Sequence, residues 1–157
     1  MHCPFLRSCS ASAQANCLLF ATYPLDEGSV THTAFSDTEP RWEVELGFPS
    51  VIRRIIVYNR SGHNGRRLEG AIVSLHRMNS EGSMVTLAER PFGTSAATHT
   101  IDFTGDGEVY VATHVRIRLP TQGVSLSLAE VEVMGYVSYP YSELDYTRKC
   151  PRLCVSL

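Results

Sequence analysis

Trp42-Glu43-Val44-Glu45-Leu46 alternates strictly, so Trp42, Val44 and Leu46 fall on one face of an extended chain and Glu43 and Glu45 on the other. Shortly after it, Val51–Tyr58 (VIRRIIVY) is dense in β-branched residues and apolar on both faces, as a central strand of a sandwich must be. The period of two recurs downstream. Ala71, Val73 and Leu75 alternate with Ile72, Ser74 and His76, and Ile101 and Phe103 with Thr100 and Asp102. Val115, Ile117 and Leu119 alternate with His114, Arg116 and Arg118, and Val131 and Val133 with Glu130 and Glu132. Turn signals separate these runs at Gly47-Phe48-Pro49, Ser61–Gly65, Asn79–Gly82, Pro91–Gly93, Thr104–Gly107 and Pro120–Gly123. No stretch of a dozen residues carries a 3.6 period. The expected fold is all-β, a sandwich of short strands.

The chain has 157 residues, 43% hydrophobic and 19% charged, which fits one globular domain with tails and excludes a wholly disordered or collagen-like chain. The alternation is lost in residues 1–22 and 137–157, so the expected organisation is an irregular N-terminal tail, a β-sandwich over 23–136 and a C-terminal tail. Fourteen basic against sixteen acidic residues leave a net charge of −2, without the basic footprint of a nucleic-acid partner. No apolar run approaches the roughly 20 residues of a transmembrane segment. The N-terminus is broken by polar residues and makes a poor signal peptide. The five cysteines lie at positions 3, 9, 17, 150 and 154, so the core folds without internal disulfides. Cys150 and Cys154 lack the second pair of a zinc site and read as free thiols or a bridge between the tails.

Enzyme signatures are absent: there is no GxSxG, HExxH, Walker loop or GxGxxG after a strand, and the chain is read as non-catalytic. Asp102–Gly107 has a faint calcium-loop look, but Thr113 stands where an EF-hand needs its bidentate Glu, so it reads as a turn. Trp42 reads as core. Arg53, Arg54, Arg116 and Arg118 read as solvated or salt-bridged sheet positions, and His76, His99 and His114 as surface or satisfied partial-core residues. Asn59-Arg60-Ser61 is a glycosylation sequon. One cluster stands apart: Arg60-Ser-Gly-His-Asn-Gly-Arg66-Arg67 directly follows the strand ending in Tyr58-Asn59. Guanidinium forks at the end of a rigid strand suit an oxygen-rich ligand, whereas the plainer reading is a solvated basic turn.

The order of Thr31-His32-Thr33, Pro40–Gly47, Ile55–Arg60, Arg67–Gly70, Val115–Leu119 and Leu126–Gly135 resembles the F-type lectin (fucolectin) family from about Tyr23 to Tyr136. That family is a branch of the discoidin-like β-sandwich jelly rolls. The resemblance implies that His32, Arg60 and Arg67 donate to the ring oxygen and hydroxyls of L-fucose, with Phe35, and less directly Tyr23, as an apolar contact. Gly62 stands where the sugar motif has Asp, and the family's adjacent cysteine pair is missing. A misplaced sugar hydroxyl would leave a donor unpaired at roughly 1–3 kcal/mol, which is how such a trio selects its sugar.

The resemblance further implies a structural Ca2+ held by Asp26, Ser29, the Ala129 carbonyl and Glu130, all hard oxygen donors. It implies fucosylated glycans or glycoproteins as partners, an extracellular or secreted setting, and avidity through homo-oligomers or tandem domains, since a single such site binds weakly. Two other readings stand beside it: a discoidin-type adhesion module that binds a protein or membrane surface, and a degenerate lectin that has lost its sugar.

Overall fold

The computed structural model describes residues 18–19, 31–60, 63–94, 96–121 and 123–138. They form β1 (Leu18–Leu19), β2 (Thr31–His32), β3 (Arg41–Tyr58), β4 (Ile72–Met78), β5 (Met84–Pro91), β6 (Thr98–Asp102), β7 (Val111–Arg118), β8 (Ser127–Leu128) and β9 (Glu130–Val137). A 3-10 helix, His63–Leu68, links β3 to β4, and the described residues contain no α-helix. The fold is the all-β, discoidin-like sandwich expected.

β3 organises the sandwich. Residues 41–45 and 50–51 pair antiparallel with β7, residues 50–58 with β9 across a register shift, and residues 54–58 also with β6. The main sheet runs β1-β9-β3-β7-β4-β5, with β6 on the remaining side of β3, and β2 and β8 form a separate ribbon. The sheet therefore curls about β3, which contributes Trp42, Val44 and Leu46 from one half and Ile52, Ile55 and Val57 from the other to a single core. Trp42 is core as expected, 6% exposed, and Glu43 and Glu45 face out.

Gly47-Phe48-Pro49 is not the turn expected from its composition. The strand continues through it, with a register shift between Glu45 and Ser50 and Gly47 at φ 75°, a left-handed conformation that glycine adopts without strain. A second shift, between Ile52 and Arg54 against β9, lets two consecutive arginines face solvent without turning the strand over. Opposite that shift lies Gly135, where a Cβ would stand 2.0 Å from the Val51 carbonyl oxygen. Only glycine lets β9 lie this close.

β5 escaped the periodic reading because it is an edge strand, mostly exposed or half-buried, whose Met84-Val85-Thr86-Leu87 does not alternate cleanly in polarity. Pro91 is tolerated at its end. β1 pairs with β9 at Gly135 and Met134, so strand pairing begins inside the segment read as an N-terminal tail, and Val137 still belongs to β9. Ser138 follows it, its N–H donating to Pro49 O at 2.8 Å, and the other tail residues and all five cysteines lie outside the described residues.

Several outer arginines are paired. Arg54 meets Asp102 at 3.2 Å, Arg116 meets Glu43 at 2.5 Å and Arg118 meets Glu89 at 3.5 Å. Asp102 accepts from the Thr104 side chain and backbone and from Arg54, which hold its carboxyl down at about 2. Asp102–Gly107 is thus the turn expected, with Gly107 at φ 79°. His76 is buried between Ser74 Oγ at 2.7 Å and Thr86 Oγ1 at 3.2 Å, and burial, then the Arg116 charge, lowers its pKa. His114 is buried beside Thr113 Oγ1 at 2.9 Å. His99 departs from the expectation of a surface or satisfied partial-core residue, being buried with one ring nitrogen unpaired. It stacks on Phe92 at 4.7 Å, and its buried Nε2 has no partner among the described residues.

Candidate functional site

The connections that carry the singled-out residues gather at one end of the sandwich. The link 92–97 joins Pro91, which pairs with Ile72, to Thr98, which pairs with Tyr58. The same end receives the turn from β3 through the 3-10 helix to β4, and the run from β7 to β8. Its strand ends are stitched together: Leu119 N donates to Pro40 O at 2.9 Å, Phe92 N to Ala71 O at 2.7 Å and Ala129 N to Tyr58 O at 3.0 Å.

His32 reaches this end on β2, directly opposite Ser127 of β8. Thr33 locks it there. Its N–H donates to Leu126 O at 3.0 Å, its Oγ1 accepts from Leu126 N at 3.1 Å, and its carbonyl accepts from Ser125 Oγ at 2.6 Å. β8 packs on the 3-10 helix that carries Arg67. Beyond Thr33 the chain turns, with Asp37 N donating to Ala34 O at 3.2 Å, and presents Phe35 outward at 63% exposure. The Arg67 guanidinium carbon lies 5.0 Å from the centroid of the Phe35 ring, within cation–π range. A large exposed aromatic and a half-buried cation therefore form one contact surface.

Arg60 leaves the end of β3 through Asn59, a residue whose importance the sequence hid behind a sequon. Asn59 Nδ2 donates to Gly65 O at 2.7 Å and to Ala96 O at 3.0 Å, and its N–H donates to Ala97 O at 2.9 Å. The side chain thus ties the arginine-bearing connection to the β5–β6 link. With its amide nitrogen held by two carbonyls, Asn59 is a clamp rather than an open glycan acceptor. Arg60 is half-buried, and its buried Nε finds no acceptor among the described residues; neither do the buried Asn59 Oδ1 and Ser127 Oγ find partners. Unpaired buried polar atoms are costly and mark a place where a ligand or water oxygen fits.

The structure thus brings Phe35 against Arg67 and sets His32 on the ribbon packed beside that helix, with Arg60 at the adjoining strand end. Tyr23, Asp26, Ser29, Ser61 and Gly62 lie outside the described residues. Ala129 is buried at the join of β8 and β9. Glu130 lies opposite Tyr58, and burial, then the nearby Glu132 carboxylate, raises its pKa. Tyr58 OH donates to Glu132 Oε1 at 3.4 Å, and burial together with both glutamates raises the phenol. Two neighbouring carboxylates, one of them desolvated, fit a hard divalent cation. Among the described residues no group of three or more His, Cys, Asp or Glu is placed to hold a metal.

The family model for F5/F8 type C domains, described as NedA-like, galactose-binding domain, matches residues 24–131. No curated protein matches the chain. Among solved structures, a fucose binding module of Streptococcus pneumoniae is 32% identical over 69% of this chain and 71% of its own, with a TM-score of 0.59. The lectin domain of lectinolysin, solved with Lewis b antigen, is 34% identical over 66% of this chain and 70% of its own, TM-score 0.54. A fucolectin from the serum of the striped bass, Morone saxatilis, is 31% identical over 70% of this chain, TM-score 0.58; the match spans 37% of that longer chain.

Proposed function

This chain belongs to the F5/F8 type C family of NedA-like, galactose-binding domains, within which its structural relatives are fucose-binding modules and fucolectins, and on that footing we propose that it is a non-catalytic lectin domain for L-fucose or fucosylated glycans. The observation that carries the reading is the Arg67–Phe35 pair, a cation beside an exposed ring, at the end where His32 and Arg60 also lie. Phe35 offers the apolar surface that meets the methyl group of the sugar. His32, Arg60 and Arg67 donate to its ring oxygen and hydroxyls, and charged donors make those bonds short and directional. The unpaired Nε of Arg60 supports the same assignment, since a sugar oxygen or an ordered water completes it. The lectinolysin domain's Lewis b complex and the serum origin of the bass fucolectin support fucosylated partners and an extracellular setting for this chain. No described helix is long and apolar enough to cross a membrane.

Glu130 and the Ala129 carbonyl, with Asp26 and Ser29, are the residues that would hold Ca2+. A bound calcium supplies positive charge that offsets the mutual repulsion of Glu130 and Glu132.

Calorimetric titration with L-fucose, with calcium present and then chelated, tests the proposal. Saturable binding that disappears in Arg60→Ala and Arg67→Ala, and weakens in Phe35→Ala, is the expected result. Silence up to about 50 mM fucose, far beyond the millimolar scale at which a weak site still registers, would overturn it.

A further inference from the structure

The eight residues from Arg60 to Arg67 contain three arginines and no acidic side chain. Elsewhere the described arginines are largely neutralised in place: Arg41 by Glu39, Arg54 by Asp102, Arg90 by Asp106, Arg116 by Glu43 and Arg118 by Glu89. None of Arg60, Arg66 and Arg67 has a carboxylate partner among the described residues. Arg67 faces an aromatic ring instead, the Arg60 Nε is buried without an acceptor among the described residues, and Arg66 is exposed beside them on the 3-10 helix. Glu69 follows on the same connection and meets Arg66 through the backbone, its N–H donating to Arg66 O at 3.0 Å. The Arg60–Arg67 connection thus concentrates three arginines without an ion-pair partner among the described residues, on a molecule whose net charge is −2, while the carboxylates of Glu130 and Glu132 lie on β9 beyond Tyr58. Such a concentration of like charge is relieved by an anion, and planar guanidinium forks match the paired oxygens of carboxylate and sulfate groups.

We propose that the saccharide taken at this end is anionic, carrying a sulfate ester or a carboxylate, with Arg66 reading the anion beside the sugar that Arg60 and Arg67 hold. This rests on the lectin reading of the same site and names its ligand class. Arg66 neighbours Arg67 in sequence, and successive residues of a 3-10 helix point about 120° apart, so one arginine turns to Phe35 while the other stays free for a substituent on or next to the sugar.

The full chain is titrated with the neutral Lewis a trisaccharide, its 3′-sulfated form and its sialylated form, at low and at high sodium chloride. At low salt at least one anionic form is expected to bind about fivefold more tightly than the neutral one, the gain of one exposed charge-assisted contact. That margin should close as salt screens it. Arg66→Ala should bring the affinity for the anionic form down to that for the neutral trisaccharide, while Arg77→Ala, a distant exposed arginine on β4, should not. Whether the sulfated or the sialylated form gains identifies the source of the anion. Equal binding of all three at low salt overturns the proposal and leaves the lectin reading standing, as does a preference that survives in Arg66→Ala. If the folded chain binds none of the three, the lectin reading falls and this one with it.

Discussion

Replacing Asn59 by Asp exchanges an amide nitrogen for a carboxyl oxygen at nearly constant size. The amide nitrogen donates to Gly65 O at 2.7 Å and Ala96 O at 3.0 Å, so the variant loses both bonds and sets an oxygen against two carbonyls. Each lost bond is worth about 1 kcal/mol, and the oxygen–oxygen opposition brings the total to about 2–3 kcal/mol at pH 7. For a domain of this size that lowers Tm by about 5–10 °C. The pH dependence is distinctive. Carbonyl neighbours disfavour the ionised form, so the introduced carboxyl has a raised folded-state pKa, and its proton restores one donor. The folded state then binds the proton more tightly than the unfolded one. Stability is therefore retained below the ordinary carboxyl range near pH 4 and lost as pH rises through the raised folded value. Thermal melts of Asn59→Asp and wild type between pH 4 and 7.5 measure this, and sugar titration at pH 7 reads the effect on the arginine connection. A variant as stable as wild type at pH 7, or a deficit that does not grow from pH 4 to 7, would refute the clamp.

Gly135→Ala should destabilise by about 3 kcal/mol or more, because a Cβ at 2.0 Å from Val51 O forces β9 off β3; denaturant melts measure it, and a loss under about 1 kcal/mol would contradict this register. His76 has a lowered folded-state pKa, so the unfolded chain binds its proton first on acidification. Stability present above pH 6.5 should fall as pH drops below that value, and His76→Gln should reduce that slope, His99, lowered likewise by burial, supplying the remainder, while steps near pH 4 stay intact, as followed by Tm against pH.

Much of this architecture is legible in the residues themselves. Trp42, Val44, Leu46, Ala71, Val73, Leu75, Val115, Ile117, Val131 and Val133 alternate in the sequence and are all buried in the core. What escaped has a physical reason in each case. β2 and β8 are two residues long, too short for any period to register, and yet they position His32. β5 lies on an edge, where one face need not be apolar. Gly47-Phe48-Pro49 has the composition of a turn, and only its register against β7 reveals a bulge in a continuous strand. At the site, Arg60 and Arg67 stood out as charges after a strand, whereas the clamp of Asn59 and the meeting of Arg67 with Phe35 depend on contacts across distant segments. His99 reads from sequence as a surface or satisfied partial-core residue, and nothing in its neighbours betrays a buried, unpaired ring nitrogen.

The ribbon of β2 and β8 joins Thr31 to Leu128, close to the two extremes of the described fold. Bringing such remote stretches together carries a large loop-closure entropy, so this pairing gains nothing until the intervening strands have folded. The proposed binding end is therefore completed late. A nascent or partly digested chain would hold a native-like β3–β7–β4 sheet and still lack the proposed binding surface, which makes retention of the proposed ligand a stringent gauge of whether the whole domain has closed.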